Sequence, residues 1–175
     1  MTINDLKYKI EKNFRKIKLQ NDIYGFQIQP NTKFLKGISR KEIDKLEILF
    51  GFDFPKIYRK MLLVIGGFDI KEISIDPDGD EIKFNDCFYQ YPRDIEESKW
   101  LVEEINENKI YAESALSESG FDVSKIVGYV PIYSHRALVI FENKNLSPVI
   151  SAWGSDIILY GNNLEEYLKK EFLRY

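Results

Sequence analysis

The chain has 175 residues, 44% of them hydrophobic and 30% charged, a size and composition that fit one globular domain and exclude wholesale disorder. With 25 basic against 28 acidic side chains the formal charge is −3, which argues against a dedicated nucleic-acid binder whose affinity would come from a basic surface. One cysteine, Cys87, and one histidine, His135, exclude an intramolecular disulfide, cysteine-rich zinc sites and multi-histidine metal centres.

Thr2 caps a first predicted helix that sets Ile3, Leu6, Ile10, Phe14 and Ile17 on one stripe, with its lysines on a solvated face. Residues 19–37 read as an irregular lead-in interrupted by Gly25, Pro30 and Gly37. Ser39 and Glu42 form a capping box that opens a helix with Ile43, Leu46, Leu49 and Phe50 on its apolar side and Gly51 as its stop. Asp53 and Pro55 open the next helix, which turns Tyr58, Met61, Leu62 and Ile65 inward and halts at Gly66 and Gly67.

From Phe68 the period changes to two. Ile70, Ile73 and Ile75 lead into a turn at residues 76–80, and Ile82 and Phe84 lead out, a β-hairpin. Asp94 caps a helix that runs through Asn108, and residues 109–125 carry no clear period. Strand-like runs follow at 126–132, 137–141, 148–153 and 157–160, and Asn162 caps a last helix bearing Leu164, Tyr167, Leu168 and Phe172. Helices first and antiparallel strands later give an α+β domain: N-terminal helices on a mostly antiparallel sheet, closed by a C-terminal helix. The N-terminus has no secretory pattern and no run approaches membrane-spanning length, so the expectation is a cytoplasmic protein that does not engage membranes.

Charge is polarised along the chain. Residues 1–45 hold 11 basic and 5 acidic groups, a balance of +6; residues 72–107 hold 3 basic and 12 acidic, a balance of −9. Carboxylates beside aromatic rings can steer and anchor a basic partner. The partner-binding candidates are Asp76, Asp78, Asp80, Glu81, Tyr89, Tyr91, Asp94, Glu96, Glu97 and Trp100. For any single one, a solvated residue or one that favours a helix dipole is the blander reading.

Enzymatic motifs are sparse. The run Asp76, Pro77, Asp78, Gly79, Asp80 superficially resembles a calcium loop, but Glu81 stands at the position needing glycine and Cys87 at that needing the bidentate glutamate. No nucleophile elbow, P-loop or dinucleotide fingerprint is present. His135, between two predicted strands, reads as an exposed loop residue, and Cys87 as a small buried hydrophobe. No cofactor or metal is expected.

The stretch Ile38, Ser39, Glu42, Ile43, Leu46, Glu47, Phe50, Gly51, Phe54, Pro55, Tyr58, Leu62, Gly66, Gly67 resembles the signature of the SUKH superfamily, which includes bacterial toxin-immunity proteins and fungal cell-wall-assembly regulators. Val130, Pro131 and Ile132, then Trp153, then Asn163 to Leu168 are similar to the later part of that pattern, so the likeness spans residues 38–168 of a single domain, with residues 1–37 as an N-terminal helix and lead-in. Phe54 replaces the usual leucine, Ile65 replaces an asparagine, and residues 85–125 have no counterpart. The resemblance implies a non-enzymatic protein that binds and blocks a cognate toxin, often a nuclease, with partner specificity in that middle segment. Its other implication is a regulatory scaffold or adaptor. A hydrolase built on carboxylates with His135, and RNA binding through the first helix, are the readings from other classes.

Overall fold

The computed structural model describes residues 1–20, 25–75 and 82–173. It is an α+β fold whose order is α1 (Ile3–Phe14), α2 (Arg40–Phe50), α3 (Lys56–Leu62), β1 (Glu72–Ile75), β2 (Ile82–Asn85), α4 (Ile95–Glu107), α5 (Lys109–Glu118), β3 (Ile126–Tyr133), β4 (Arg136–Phe141), β5 (Val149–Trp153), β6 (Asp156–Gly161) and α6 (Leu164–Phe172). β3 to β6 form a four-stranded antiparallel meander in sequence order, and β1 and β2 form a separate antiparallel hairpin.

The helix starts follow from side chains that satisfy orphan N–H groups. Thr2 with Asp5 and Ser39 with Glu42 each form a reciprocal capping box. Gly51 ends α2 at φ 81°, a conformation that costs glycine nothing. The helix before the paired glycines ends earlier than its sequence implies: α3 stops at Leu62, and Ile65 is buried from the loop that follows. Gly66 is instead needed for close approach, because a Cβ there would overlap the Lys36 carbonyl oxygen. The last helix is capped by Asn163, one residue later than predicted; its side chain accepts the Glu166 N–H at 2.9 Å. Asn162 donates to the Glu166 carboxylate instead.

The meander is buried on both faces. Val130, Ile132, Leu138, Ile140 and Val149 pack against α1, α2, α3 and α6, while Tyr129, Ala137, Val139, Phe141, Ile150 and Ile157 pack against α4 and α5. Two covered faces explain why 137–141 reads as a continuous apolar run instead of an alternating one. The second helical layer is the segment 95–118, and α5 within it lies where the sequence showed no period: only Ala112 and Leu116 of α5 are buried, too few for a stripe.

The first face holds an aromatic cluster centred on Phe172, whose ring meets those of Phe14, Phe34, Phe68, Phe88, Tyr133 and Tyr167 at centroid distances of 5.2 to 6.3 Å. The lead-in docks on this body through isolated bridges from Gln27 to Ile73 and from Phe34 to Phe68. Lys7 departs from a solvated face: its ammonium donates to the carbonyls of Phe34 and Val64 at 3.3 and 3.2 Å. Leu49 likewise departs from the apolar side assigned to it, standing 65% exposed. It forms the rim of a 370 Å³ groove with Phe52, Ile95, Val102 and Val127. Among the described residues no helix is long and apolar enough to cross a membrane.

Candidate interaction cleft

Between β2 and α4 the chain runs along the open edge of β3. Tyr89 N–H donates to the Ile132 carbonyl at 3.0 Å, Ser134 N–H donates to the Cys87 carbonyl at 2.7 Å, and Phe88 bridges Tyr133. This pairing brings residues 85–94 beside the β3–β4 turn at Ser134 and His135 and the β5–β6 turn after Trp153. Together they enclose an open cleft of about 1030 Å³ lined by Asp86, Tyr89, Asp94, Glu97, His135, Trp153 and Glu171, among others.

The charges in it fall into two groups. Arg93 pairs with Asp94 and stands 3.9 Å from Asp86, and Arg136 pairs with Glu171 at 3.1 Å while lying 4.1 Å over the Tyr160 ring. Those carboxylates are compensated from within. Two α4 carboxylates, Glu97 lining the cleft and Glu104 next to it, make no salt bridge among the described residues. They lie on α4 with Trp100 between them at spacings of three and four, so all three share one helix face. Glu104 is held in place by the Gly154 N–H, which donates to its carboxylate at 2.6 Å. Trp100 is 65% and Trp153 69% exposed, and the His135 ring packs edge-on against Trp153 at 5.7 Å.

Titration is shifted around the floor. Burial pushes Cys87 up to about 12, with the charges of Glu72 and Asp86 adding to it, so the thiol is a small apolar group and not a nucleophile. Burial also raises Tyr89 to about 12. His135 is half-buried, not exposed, and burial first, then Arg136, lowers its pKa below the usual histidine value. Behind the floor, Glu72 of β1 is fully buried; one carboxylate oxygen accepts the Cys87 N–H at 3.2 Å and the other has no hydrogen-bond partner among the described residues. Desolvation raises this carboxyl to about 7, against the lowering effect of that hydrogen bond. Among the described residues no three His, Cys, Asp or Glu side chains are grouped to hold a metal ion.

The structure brings Tyr89, Asp94 and Glu97 to the cleft, with Trp100 on the helix face beside it. Asp94 is buried and its carboxylate accepts from Arg93 and from the Gln90 N–H at 2.7 Å, so it supports the wall; it makes no capping hydrogen bond to α4. Tyr91 is a core residue, its hydroxyl donating to the Pro131 carbonyl at 2.9 Å and its ring packed edge-on to Phe50, which removes it from any partner surface. Glu96 points to solvent and pairs with Lys99 at 2.7 Å. Asp76, Asp78, Asp80 and Glu81 lie outside the described residues.

Sequence reasoning did not select Asp86, Glu104, His135 or Trp153 for this surface. The first two belong to the same acidic segment. Trp153 carried a signal: an indole at the end of a predicted strand, just before a glycine turn, has no strand neighbours beyond it to bury it. The sequence matches no protein-family model and no curated protein, so the reading of this site rests on its own chemistry.

Proposed function

We propose that this chain is a cytoplasmic, non-enzymatic immunity protein of the SUKH kind, which binds a cognate toxin, a nuclease domain, through the acidic and aromatic cleft and blocks it. The observation that carries the proposal is a pair of α4 carboxylates without a salt bridge among the described residues, Glu97 lining an open concave surface and Glu104 held at its edge by Gly154, with the exposed indoles of Trp153 in the cleft and Trp100 beside it. Exposed tryptophans are expensive to leave in water and are the residues that anchor protein interfaces. A nuclease carries a positive cleft to hold its polyanionic substrate, and negative charge on the inhibitor speeds encounter with it and competes with nucleic acid. Covering the toxin away from its active site would serve equally well. The α2–turn–α3 unit with its Ser39–Glu42 capping box, the meander and the closing helix are compatible with the resemblance.

The test is co-purification with a toxin encoded beside this gene, followed by binding kinetics and a nuclease-inhibition assay. A stable one-to-one complex is expected, with Glu97→Lys plus Glu104→Lys slowing association at least about tenfold and flattening its salt dependence. The same reversal at Glu118, on α5, leaves association unchanged. No complex at micromolar concentration sinks the proposal, and weak binding to several unrelated proteins would support the adaptor reading instead.

A further inference from the structure

We infer that the anchor this cleft takes is an arginine side chain of the protein partner, with its guanidinium against the Trp153 indole and its N–H donors on the Glu104 carboxylate; this rests on the partner-binding reading above. Three features lie around the β5–β6 turn at Trp153 and Gly154. Trp153 presents its ring to solvent while His135 packs against it edge-on at 5.7 Å, which fixes the indole and leaves ring surface open. Glu104 is pinned beside it, since the N–H that holds its carboxylate at 2.6 Å belongs to Gly154, the next residue in the chain. That amide satisfies one lone pair of the carboxylate, whose remaining lone pairs can receive a fork of donors. The cleft's own arginines are engaged elsewhere, Arg93 with Asp94 and Arg136 with Glu171, so the place beside Trp153 is filled by no internal cation among the described residues.

The molecule already uses this recognition pattern internally. The Arg136 guanidinium lies 4.1 Å over the Tyr160 ring and donates to the Glu171 carboxylate at 3.1 Å and the Ser151 hydroxyl at 2.8 Å. A guanidinium suits such a ring-and-carboxylate site better than an ammonium, because it is planar, stacks on an aromatic face, sheds water more easily and offers paired donors.

The chain has two tryptophans, so Trp100→Phe leaves Trp153 as the sole indole reporter. In that background, blocked Gly-Arg-Gly and Gly-Lys-Gly peptides are titrated at constant ionic strength while indole emission is followed. A saturable change is expected with the arginine peptide, with affinity lower by about threefold or more for the lysine peptide and about tenfold for the arginine peptide on Glu104→Gln. Glutamine keeps an acceptor for the Gly154 N–H, so that variant removes charge without releasing the turn. An unmoved Trp153 signal, or equal responses to both peptides and in both proteins, overturns the inference. The toxin complex separates the two proposals. Undiminished toxin binding by Trp153→Ala refutes the arginine anchor and leaves the immunity reading standing; peptide binding without any toxin complex supports the anchor and refutes the immunity reading.

Discussion

Glu72 makes stability depend on pH in a direction that can be worked out in advance. Its carboxyl is buried to 1% exposure on β1, with one oxygen accepting the Cys87 N–H and the other without a hydrogen-bond partner among the described residues, and desolvation raises its pKa from 4.5 to about 7. The folded protein therefore keeps a proton that the unfolded chain has already released. The stabilisation this proton provides is fully present below pH 4.5 and is lost as pH rises to about 7, after which the curve is flat. A carboxyl displaced over that interval corresponds to about 3 kcal/mol. Ionising it leaves a charge against the Cys87 thiol and near Asp86. Glu72→Gln keeps a carbonyl oxygen for the Cys87 N–H and cannot ionise. Urea unfolding of both proteins from about pH 4.5 to about pH 8 should show the variant gaining on the wild type by about 3 kcal/mol across the range. His135 works oppositely: burial lowers its pKa below 6.5, so its contribution grows as pH rises through the interval below that value. It is common to both proteins and cancels in the difference. A wild-type-minus-variant difference that stays level over the whole range would refute the buried, ionisable Glu72.

Two further predictions concern the frame that holds the cleft. Phe172→Ala removes the ring shared by six aromatic neighbours at the α6–sheet junction and should cost about 3 to 5 kcal/mol, read as a fall in the urea midpoint with little change in slope; a loss under about 1 kcal/mol would show that the cluster closes over the void. Gly51→Ala and Gly66→Ala form a contrasting pair. The first meets open space and pays only for its left-handed backbone, about 1 kcal/mol, whereas the second drives a methyl group into the Lys36 carbonyl and should cost about 1 to 3 kcal/mol or more; thermal midpoints in the reverse order would contradict the close approach.

Much of the fold is local and was therefore legible. Capping boxes at Thr2 and Ser39 and the glycine stop at Gly51 satisfy backbone groups in the same segment, and the four strand runs after residue 125 pair each with the next across a short connection. Where the outcome was set by distant chain, the sequence pattern misled: Leu49 has helical spacing for burial but no partner element covers it, and Tyr91 sits in an acidic, aromatic stretch yet is drawn inward by the Pro131 carbonyl, forty residues on. Asp94 is a local exception, since Arg93 and the Gln90 amide, both within four residues of it, claim its carboxylate in place of the helix cap.

The sequence by itself determined the α+β class and the excess of acid in the middle segment, because composition and short-range periodicity fix what can be buried and which local hydrogen bonds can form. Only the tertiary structure decided which of those acids act together. The Gly154 amide pins Glu104 from fifty residues on, Arg136 takes up Glu171 of α6, and α4 and α5 close the second face of the sheet; each of these depends on segments meeting in space that lie tens of residues apart in the chain.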